Sequence, residues 1–297
     1  THEMGMDLEK VLENRSLTYI APSATWDTAT DLPYDRFLEM ARDKDCCVYA
    51  CVSENVGPGT QYYPAYVPAL RAAATNAWNQ DVDGIYIFNY NHCPTTNIDQ
   101  SEIFSQLGHL ETLRYRSKRY AVAPIAHVVE VYDTGVIRPG FSEEAHGPGA
   151  MYSSFKHQLP VTLRDQPTGV GEVIHLLVYD DLKTAAERGM LKSVILEITV
   201  AGFSRDDVFE FKVNGDALPY PGSPEFHLYG RYRMGPRWNG MQGNYALRFN
   251  LRSGDMLKWG WNELELTLRK RNSKLLYDFV VHDMFLDVEF HNLTMRG

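Results

Sequence analysis

One glutamate, Glu54, stands where a reacting carboxylate is expected. It directly follows VYACVS, residues 48–53, a β-rich run of the length that a buried strand needs. Parallel barrel enzymes place their reacting groups at the carboxyl ends of such strands. A carboxylate at such a position can act as a nucleophile or as a general base. The alternative role for Glu54 is to cap a loop or to pair with a neighbouring base.

Two aspartates, Asp27 and Asp31, lie just past the first predicted strand. Either carboxylate can bind sugar hydroxyls or tune a partner carboxylate. Both also suit turn and N-cap roles ahead of the helix predicted to begin at Tyr34. For Asp31 the sequence favours the N-cap role.

The other candidate site residues are aromatic or polar side chains near strand exits. Aromatic rings suit sugar faces because apolar C–H patches stack on them with little loss of entropy. Asn89 and His92 follow the third strand and can donate to hydroxyls or to a carboxylate, although a structural hydrogen bond is favoured for the histidine. The predicted substrate-binding residues are Trp26, Asp27, Asp31, Tyr63, Asn89, Tyr90 and His92.

Bulk properties and motifs exclude several classes of function. The 297 residues carry a formal net charge of −9, so no basic face is available for nucleic acid or for an anionic membrane. No apolar stretch is long enough to span a bilayer. No GxGxxG, HExxH or GxSxG motif supports nucleotide, zinc or serine chemistry, and no cofactor is expected. The pairs Asp180-Asp181 and Asp206-Asp207 suit turns better than a calcium site.

The first part of the chain alternates helix and strand signals. Helices are predicted at residues 6–14, 34–44, 65–80 and 103–119, and strands at 17–22, 48–53 and 84–90. This order implies parallel pairing through right-handed crossovers. A three-stranded parallel sheet is a poor unit alone, since its edges are open and its faces half covered. Residues 126–158, rich in proline, glycine and acidic side chains, are predicted to link a first domain, 1–125, to the rest.

From residue 159 the apolar period changes from helical to twofold. Leu264, Leu266 and Leu268 alternate with polar residues, which indicates one buried and one solvated face. Asn214-Gly215 after VFEFKV is a type I′ hairpin signal. An antiparallel, jelly-roll-like β-sandwich is therefore predicted for residues 159–297. Its strands are expected at 173–179, 193–200, 208–213, 245–251, 262–269 and 279–290, with a short helix within 180–191.

A long loop, residues 220–245, combines aromatic rings with three arginines. Rings and guanidinium groups together suit a saccharide or an acidic partner, because one stacks and the other donates to oxygens. The favoured role is a packed cover over the seam between the two parts.

The run AAATNAWNQDVDGIYIFNY, residues 72–90, resembles the last helix–strand unit of the bacterial family-ten-like glycosyl hydrolases, which are TIM barrels. LKSVILEITVAG, FEFKVNGDAL and GWNELELTLRKRN resemble the strands that follow the barrel in those proteins. The resemblance implies the C-terminal portion of a (β/α)8 barrel, with strands six to eight at residues 17–25, 48–53 and 84–90. A closed barrel needs about 250 residues, so its first five strands are expected to be missing from this chain.

The resemblance also implies roles for the carboxylates. Glu54 occupies the position of the nucleophile at the end of strand seven. The acid usually comes from strand four, which this chain is expected to lack. The first hypothesis is a glycoside hydrolase, or a fragment of one, that acts on a polysaccharide; such an enzyme is expected to be secreted or periplasmic. A noncatalytic carbohydrate-binding or adhesion module with a remnant barrel is the second, and a scaffold completed by another chain is the third.

Overall fold

The computed structural model describes residues 7–23, 29–53, 67–88, 103–122, 158–219, 225–227, 244–251 and 254–291. Its helices are α1 (Leu8–Glu13), α2 (Asp35–Ala41), α3 (Val67–Trp78), α4 (Leu110–Leu113) and α5 (Leu182–Glu187). Its strands are β1 (Tyr19–Ile20), β2 (Cys47–Ser53), β3 (Gly84–Phe88), β4 (Lys118–Ala121), β5 (Val161–Leu163), β6 (Glu172–Val178), β7 (Leu191–Ala201), β8 (Val208–Val213), β9 (Asp216–Ala217), β10 (Glu225–His227), β11 (Asn244–Asn250), β12 (Gly260–Lys270) and β13 (Phe279–Phe290).

The first three strands form a parallel sheet in the order β1-β2-β3. On the central strand, Val48, Ala50 and Val52 are at most 1% exposed and pack against helices. The parallel pairing that the helix–strand alternation predicts is therefore present. Closure of these strands into a barrel stays a prediction.

Helix α3 is the element that the sheet and the sandwich share. Its alanine-rich sequence favours helix and brings small side chains close to neighbouring elements. Leu70, Ala73 and Ala74 pack with Val52 of β2, whereas Ala72 belongs to the core of the sandwich. The helix therefore buries opposite sides against two different sheets, which explains why so little of its surface is polar.

The helix predicted over residues 103–119 is wrong in its second half. Helical turns occur at 103–106 and in α4, and the chain then enters strand β4. Tyr115 has a positive φ of 57°, which ends the helical path because L-residues rarely adopt that conformation within a helix. Strand β4 pairs with β13, so residues in the predicted first domain contribute to the sandwich.

The second part of the chain is a sandwich of two antiparallel sheets. One has the order β10-β11-β7-β13-β4, with β5 also paired to β13, and the other has the order β6-β12-β8-β9. Their inner faces share a single core, to which Leu176 and Leu264 contribute from one sheet and Leu196, Val200 and Met284 from the other. Twofold alternation along each strand produces this arrangement, since every second side chain faces the opposite sheet.

Several local predictions for this part of the chain are confirmed. Strands β8 and β13 have the predicted bounds, and α5 lies within 180–191. Asn214 and Gly215 have φ of 51° and 91° and join β8 to β9, as a type I′ turn requires. Thr267, predicted on the solvated side of β12, is buried instead. Its hydroxyl accepts the N–H of Gly171, which satisfies the polar group there.

Buried hydrogen bonds fix the parallel unit on the sandwich. Asn76, 1% exposed on α3, donates through Nδ2 to the carbonyls of Thr30 and Leu177 (2.9 Å to the latter) and accepts the N–H of Tyr179 at 3.0 Å. The hydroxyl of Thr30 donates to the carbonyl of Ala121 and accepts its N–H. One amide and one hydroxyl therefore join α3, the segment before α2, β4 and the end of β6.

A buried ion pair strengthens the same junction. Lys118 Nζ lies 2.9 Å from Asp180 Oδ1, and the Tyr120 hydroxyl donates to Asp180 Oδ2 at 2.8 Å. The lysine side chain is fully buried and lies over the ring of Phe290. Burial lowers the pKa of Lys118, an effect that Asp180 opposes. Removal of either charge would leave the other uncompensated, so the pair is a structural requirement.

Side-chain amides satisfy the outer edge of β6, which ends its sheet. Gln158 donates to the carbonyl of His175 at 2.9 Å and accepts its N–H at 2.7 Å. Asn76 makes the corresponding contacts with Leu177 and Tyr179. Two carboxamides thus take the place of the backbone of a further strand.

We expect Asn76→Ala to destabilise the protein by roughly 2 to 4 kcal/mol, because it leaves three buried backbone groups without this partner. Urea unfolding followed by circular dichroism measures the change. Asn79→Ala, just after the end of the same helix, is the matched control, since the Asn79 side chain donates locally to the Thr75 carbonyl one turn back. A loss for Asn76→Ala no larger than that for Asn79→Ala would contradict this role.

Candidate active site

The leading candidate residue directly follows the central strand of the parallel sheet in sequence. Central strand β2 ends at Ser53, and Glu54 is the next residue in the chain. Ser53 is in register with Phe88, the last residue of β3. Since ligands of parallel α/β sheets bind at the carboxyl ends of the strands, Glu54 follows the strand end at which such a ligand would lie. Glu54 itself is outside the described residues.

The sheet surface opposite the helices is aromatic. It comprises Tyr19, Tyr49, Tyr86 and Phe88, which we call the aromatic face. Tyr19, Tyr86 and Phe88 are 56%, 44% and 37% exposed. The rings of Tyr19 and Tyr49 meet edge to face with centroids 5.9 Å apart. Exposed rings therefore extend along the sheet to Phe88, at the strand end where Glu54 follows.

Gly84 is required for the position of the Tyr49 ring. The two residues are in register on adjacent strands. A Cβ atom on Gly84 would lie 2.5 Å from two carbons of that ring, closer than any real contact. The absence of a side chain on Gly84 thus leaves space for the Tyr49 ring in the aromatic face.

Cys51 lies on the same side of the sheet as the aromatic face, two residues after Tyr49 on β2. It is a free thiol, 8% exposed, in register with Tyr86. Burial raises the pKa of the Cys51 thiol, while a hydrogen bond with Ser23 opposes that shift. Burial likewise raises the pKa of Tyr34, and the negative charge of a Cys51 thiolate adds to the effect. A neutral thiol suits a packing role better than nucleophilic chemistry.

Asp31 is the one predicted site residue among those that the structure describes. It is 2% exposed and directly follows Thr30, which bonds to Ala121. Its predicted role as N-cap is wrong, because α2 begins at Asp35 and its N-cap is Tyr34. Its predicted contact with sugar hydroxyls stays a prediction, and the carboxyl group is withdrawn from solvent in this structure.

The side chain of Gln80 holds the segment before α2 in place of a cap. Gln80 Oε1 accepts the N–H of Tyr34 at 2.9 Å, and its Nε2 donates to the carbonyl of Leu32 at 3.2 Å. A contact from the end of α3, distant in sequence, therefore orders this turn. Local sequence around Asp31 has no signal for such a contact.

The other predicted site residues lie outside the described residues. They are the catalytic Glu54 and the substrate-binding Trp26, Asp27, Tyr63, Asn89, Tyr90 and His92. Of the loop at 220–245, the structure describes residues 225–227 and 244–245. These assignments remain predictions.

The acidic pairs in the sandwich have structural partners. Asp180 accepts from Lys118 and Tyr120, and Asp181 caps α5 by accepting the N–H of Thr184. Asp207, fully buried at its side chain, is paired with Arg271. Among the described residues, no group of three or more His, Cys, Asp and Glu side chains is arranged to hold a metal ion. Within the same ranges, no helix is long and apolar enough to cross a membrane.

Sequence reasoning missed the aromatic face. Its signal is the twofold alternation of Tyr86 and Phe88 with Ile85 and Ile87, which pack toward the helices. The sequence predicts a strand at residues 84–90 without assigning its two faces, since continuous apolar runs are typical of strands in parallel sheets. Tyrosine and phenylalanine at every second position distinguish the two faces.

Among the solved structures that share a partial likeness with this chain is an enzyme. It is a β-porphyranase of glycoside hydrolase family 86 from the human gut bacterium Bacteroides plebeius, with 14% sequence identity and a TM-score of 0.25. The likeness covers 42% of this chain and 19% of that chain. No protein-family model matches the sequence, and no curated protein matches it. The function proposed below therefore rests on contacts within this chain.

We expect Gly84→Ala to destabilise the protein by about 1 to 3 kcal/mol, because the added methyl group displaces the Tyr49 ring. Chemical unfolding of single and double variants measures this. Tyr49→Ala in the same chain should remove most of the added cost, which identifies the ring as its cause. Gly108→Ala is the control, since a Cβ there meets no atom within 4 Å. Equal losses at the two glycines would refute the steric explanation.

Proposed function

We propose that this chain is part of a glycoside hydrolase that cleaves O-glycosidic bonds of a polysaccharide. In this proposal β1, β2 and β3 are the last three strands of a (β/α)8 barrel. Glu54 is the nucleophile, and Phe88 is an aromatic neighbour at the substrate edge. The observation that carries the proposal is the position of Glu54 directly after the central strand of a parallel sheet.

The uncovered aromatic face supports a larger barrel. Parallel sheets are found almost only where both faces are covered. Here helices pack on one side, whereas Tyr19 and Tyr86 on the other side are about half exposed, at 56% and 44%. In a closed barrel this face is the interior, where rings fill the space between strands. Further β/α units of the polypeptide would supply the remaining wall.

The chemistry requires a second carboxyl group from those units. In the first step the Glu54 carboxylate attacks the anomeric carbon, and the second carboxyl group gives its proton to the leaving oxygen as the glycosidic bond breaks. In the second step the same group, now a carboxylate, takes a proton from water. The water oxygen then displaces Glu54 and releases the sugar. Both steps conserve the starting charge, so no cofactor is needed.

We expect Glu54→Gln to lower polysaccharide hydrolysis by at least about a thousandfold, since an amide cannot form the glycosyl intermediate. Release of reducing ends from a panel of polysaccharides, by the polypeptide that contains the full barrel, measures the loss. Glu39→Gln on α2 is the matched control, because that carboxylate is exposed on a helix. Unchanged hydrolysis in Glu54→Gln would remove this residue from the mechanism.

Closure of the barrel has a separate test. Tyr86→Cys should react with a bulky maleimide in the 297-residue chain and be protected in the longer polypeptide, because new strands would cover the aromatic face. Peptide mass spectrometry locates the label. Tyr277→Cys, at an exposed position of the sandwich, should react in both. Equal labelling of residue 86 in the two proteins would count against closure.

The second candidate function is noncatalytic binding of carbohydrate by the sandwich. The observation that favours it is the exposure of two tryptophans, Trp259 at 56% and Trp261 at 47%. This function requires neither a closed barrel nor Glu54. Retention of polysaccharide by the 297-residue chain, together with no hydrolysis by the polypeptide that contains the full barrel, would support it over the first proposal.

A further inference from the structure

Two tryptophans project from the sheet β6-β12-β8-β9 on the side away from the sandwich core. Trp261 belongs to β12 and is 47% exposed, whereas its neighbours Asn262 and Leu264 are buried. Trp259, two residues earlier, is 56% exposed. Exposure of large rings is costly because each leaves apolar area in water. Two such rings separated by one residue are therefore candidates for a binding surface.

Buried hydrogen bonds hold the turn that presents Trp259. Asn262 is 0% exposed, and its Oδ1 accepts the N–H of Lys258 at 2.7 Å and an N–H of Asn214 at 2.8 Å. Its Nδ2 donates to the carbonyls of Lys258 and Gly260 at 3.0 and 2.9 Å. One buried amide thus fixes the residues on both sides of the tryptophan. A ligand that stacks there meets a preformed surface.

Tyr179 completes the arrangement from the neighbouring strand. Gly260 pairs with Val178 in the ladder, so Trp259 and Tyr179 lie opposite each other just beyond its end. Their rings meet edge to face with centroids 5.4 Å apart and planes inclined by 71°. Gly260 has a φ of 96°, a conformation that glycine adopts without strain. Substitution there would disturb the turn that holds the two rings together.

Polar side chains flank the rings. Glu263 follows Trp261 on the same side of β12, is exposed, and pairs across strands with exposed His175. Burial raises the pKa of Tyr179, and the carboxylates of Asp35 and Asp81 raise it further. Negative charge therefore lies near the Tyr179 hydroxyl group. Hydrogen-bonding groups therefore surround apolar ring faces, as a sugar requires with its C–H patches and hydroxyls.

The charged surroundings favour a saccharide over a protein partner. The centres of protein interfaces are depleted of charged residues, whereas here acidic groups adjoin the rings. The acidic groups also favour an uncharged saccharide over an anionic one. Lys258 is the one cation in the turn at residues 254–259, and the chain has a net charge of −9. An anionic glycan would therefore be repelled.

We infer that Tyr179, Trp259 and Trp261 form a surface that binds an uncharged polysaccharide, with Glu263 and His175 as hydrogen-bonding neighbours. The surface lies on the sandwich and is distinct from the edge at which β2 ends. It does not depend on Glu54, because binding here requires no reaction. It deepens the carbohydrate function proposed above by naming a second point of contact and the chemical class of the ligand.

The test is affinity electrophoresis of the 297-residue chain in gels that contain soluble neutral β-glucan, xylan or galactomannan. We expect retardation by at least one of them. Trp261→Ala and Trp259→Ala should weaken that binding by about tenfold or more, the scale of an aromatic hot spot. Trp261→Phe should retain part of it, since a smaller ring still stacks. Tyr277→Ala, which removes a 58% exposed ring beyond the other end of β12, should bind like the parent chain.

Several outcomes would overturn the inference. They are absence of retardation by every neutral polysaccharide, equal losses in the tryptophan variants and Tyr277→Ala, or binding only to sulfated or uronate glycans. Sedimentation that shows a dimer which Trp261→Ala dissociates would assign the surface to a second copy instead. Glu54→Gln separates the two proposals, because it should leave this binding unchanged even where hydrolysis is lost.

Discussion

The arrangement of this chain depends on one buried amide. Asn76 of α3 bonds at once to the segment before α2 and to the end of β6, through Thr30, Leu177 and Tyr179. Such a group is costly to bury unless all of its partners are in place, so the contact specifies one orientation of the parallel sheet on the sandwich. The ion pair of Lys118 with Asp180 applies the same constraint nearby.

Sequence alone predicted the elements whose signals are local. The twofold alternation of Leu264, Leu266 and Leu268 and the Asn214-Gly215 turn predicted β12 and the β8–β9 hairpin, and the structure has both. Prediction from sequence failed where tertiary contacts determine the secondary structure. Helical propensity favoured a helix up to residue 119, but β4 gains pairing with β13 and burial of Tyr120. The start of α2 likewise depends on Gln80, which no local pattern near Asp31 indicates.

For the candidate site, the structure confirms the strand that precedes Glu54, while the role of Glu54 itself stays a prediction. A carboxylate after a parallel strand is visible in sequence, and Glu54 does follow the last residue of β2. The exposed side of that sheet was not visible, because a run such as GIYIF has the composition of a strand buried on both faces. The exposure of Trp259 and Trp261 was not predicted for a related reason. Apolar residues at the start of a strand are typical of a core until the register of the strand is known.

The amide-covered edge of β6 has a consequence for molecular recognition. An open strand edge is a template onto which extended peptides, or other copies of a protein, add as new strands. With Gln158 and Asn76 bonded to His175, Leu177 and Tyr179, that template is already occupied from within. Peptide annealing and edge-to-edge aggregation are thereby discouraged on this flank of the sheet.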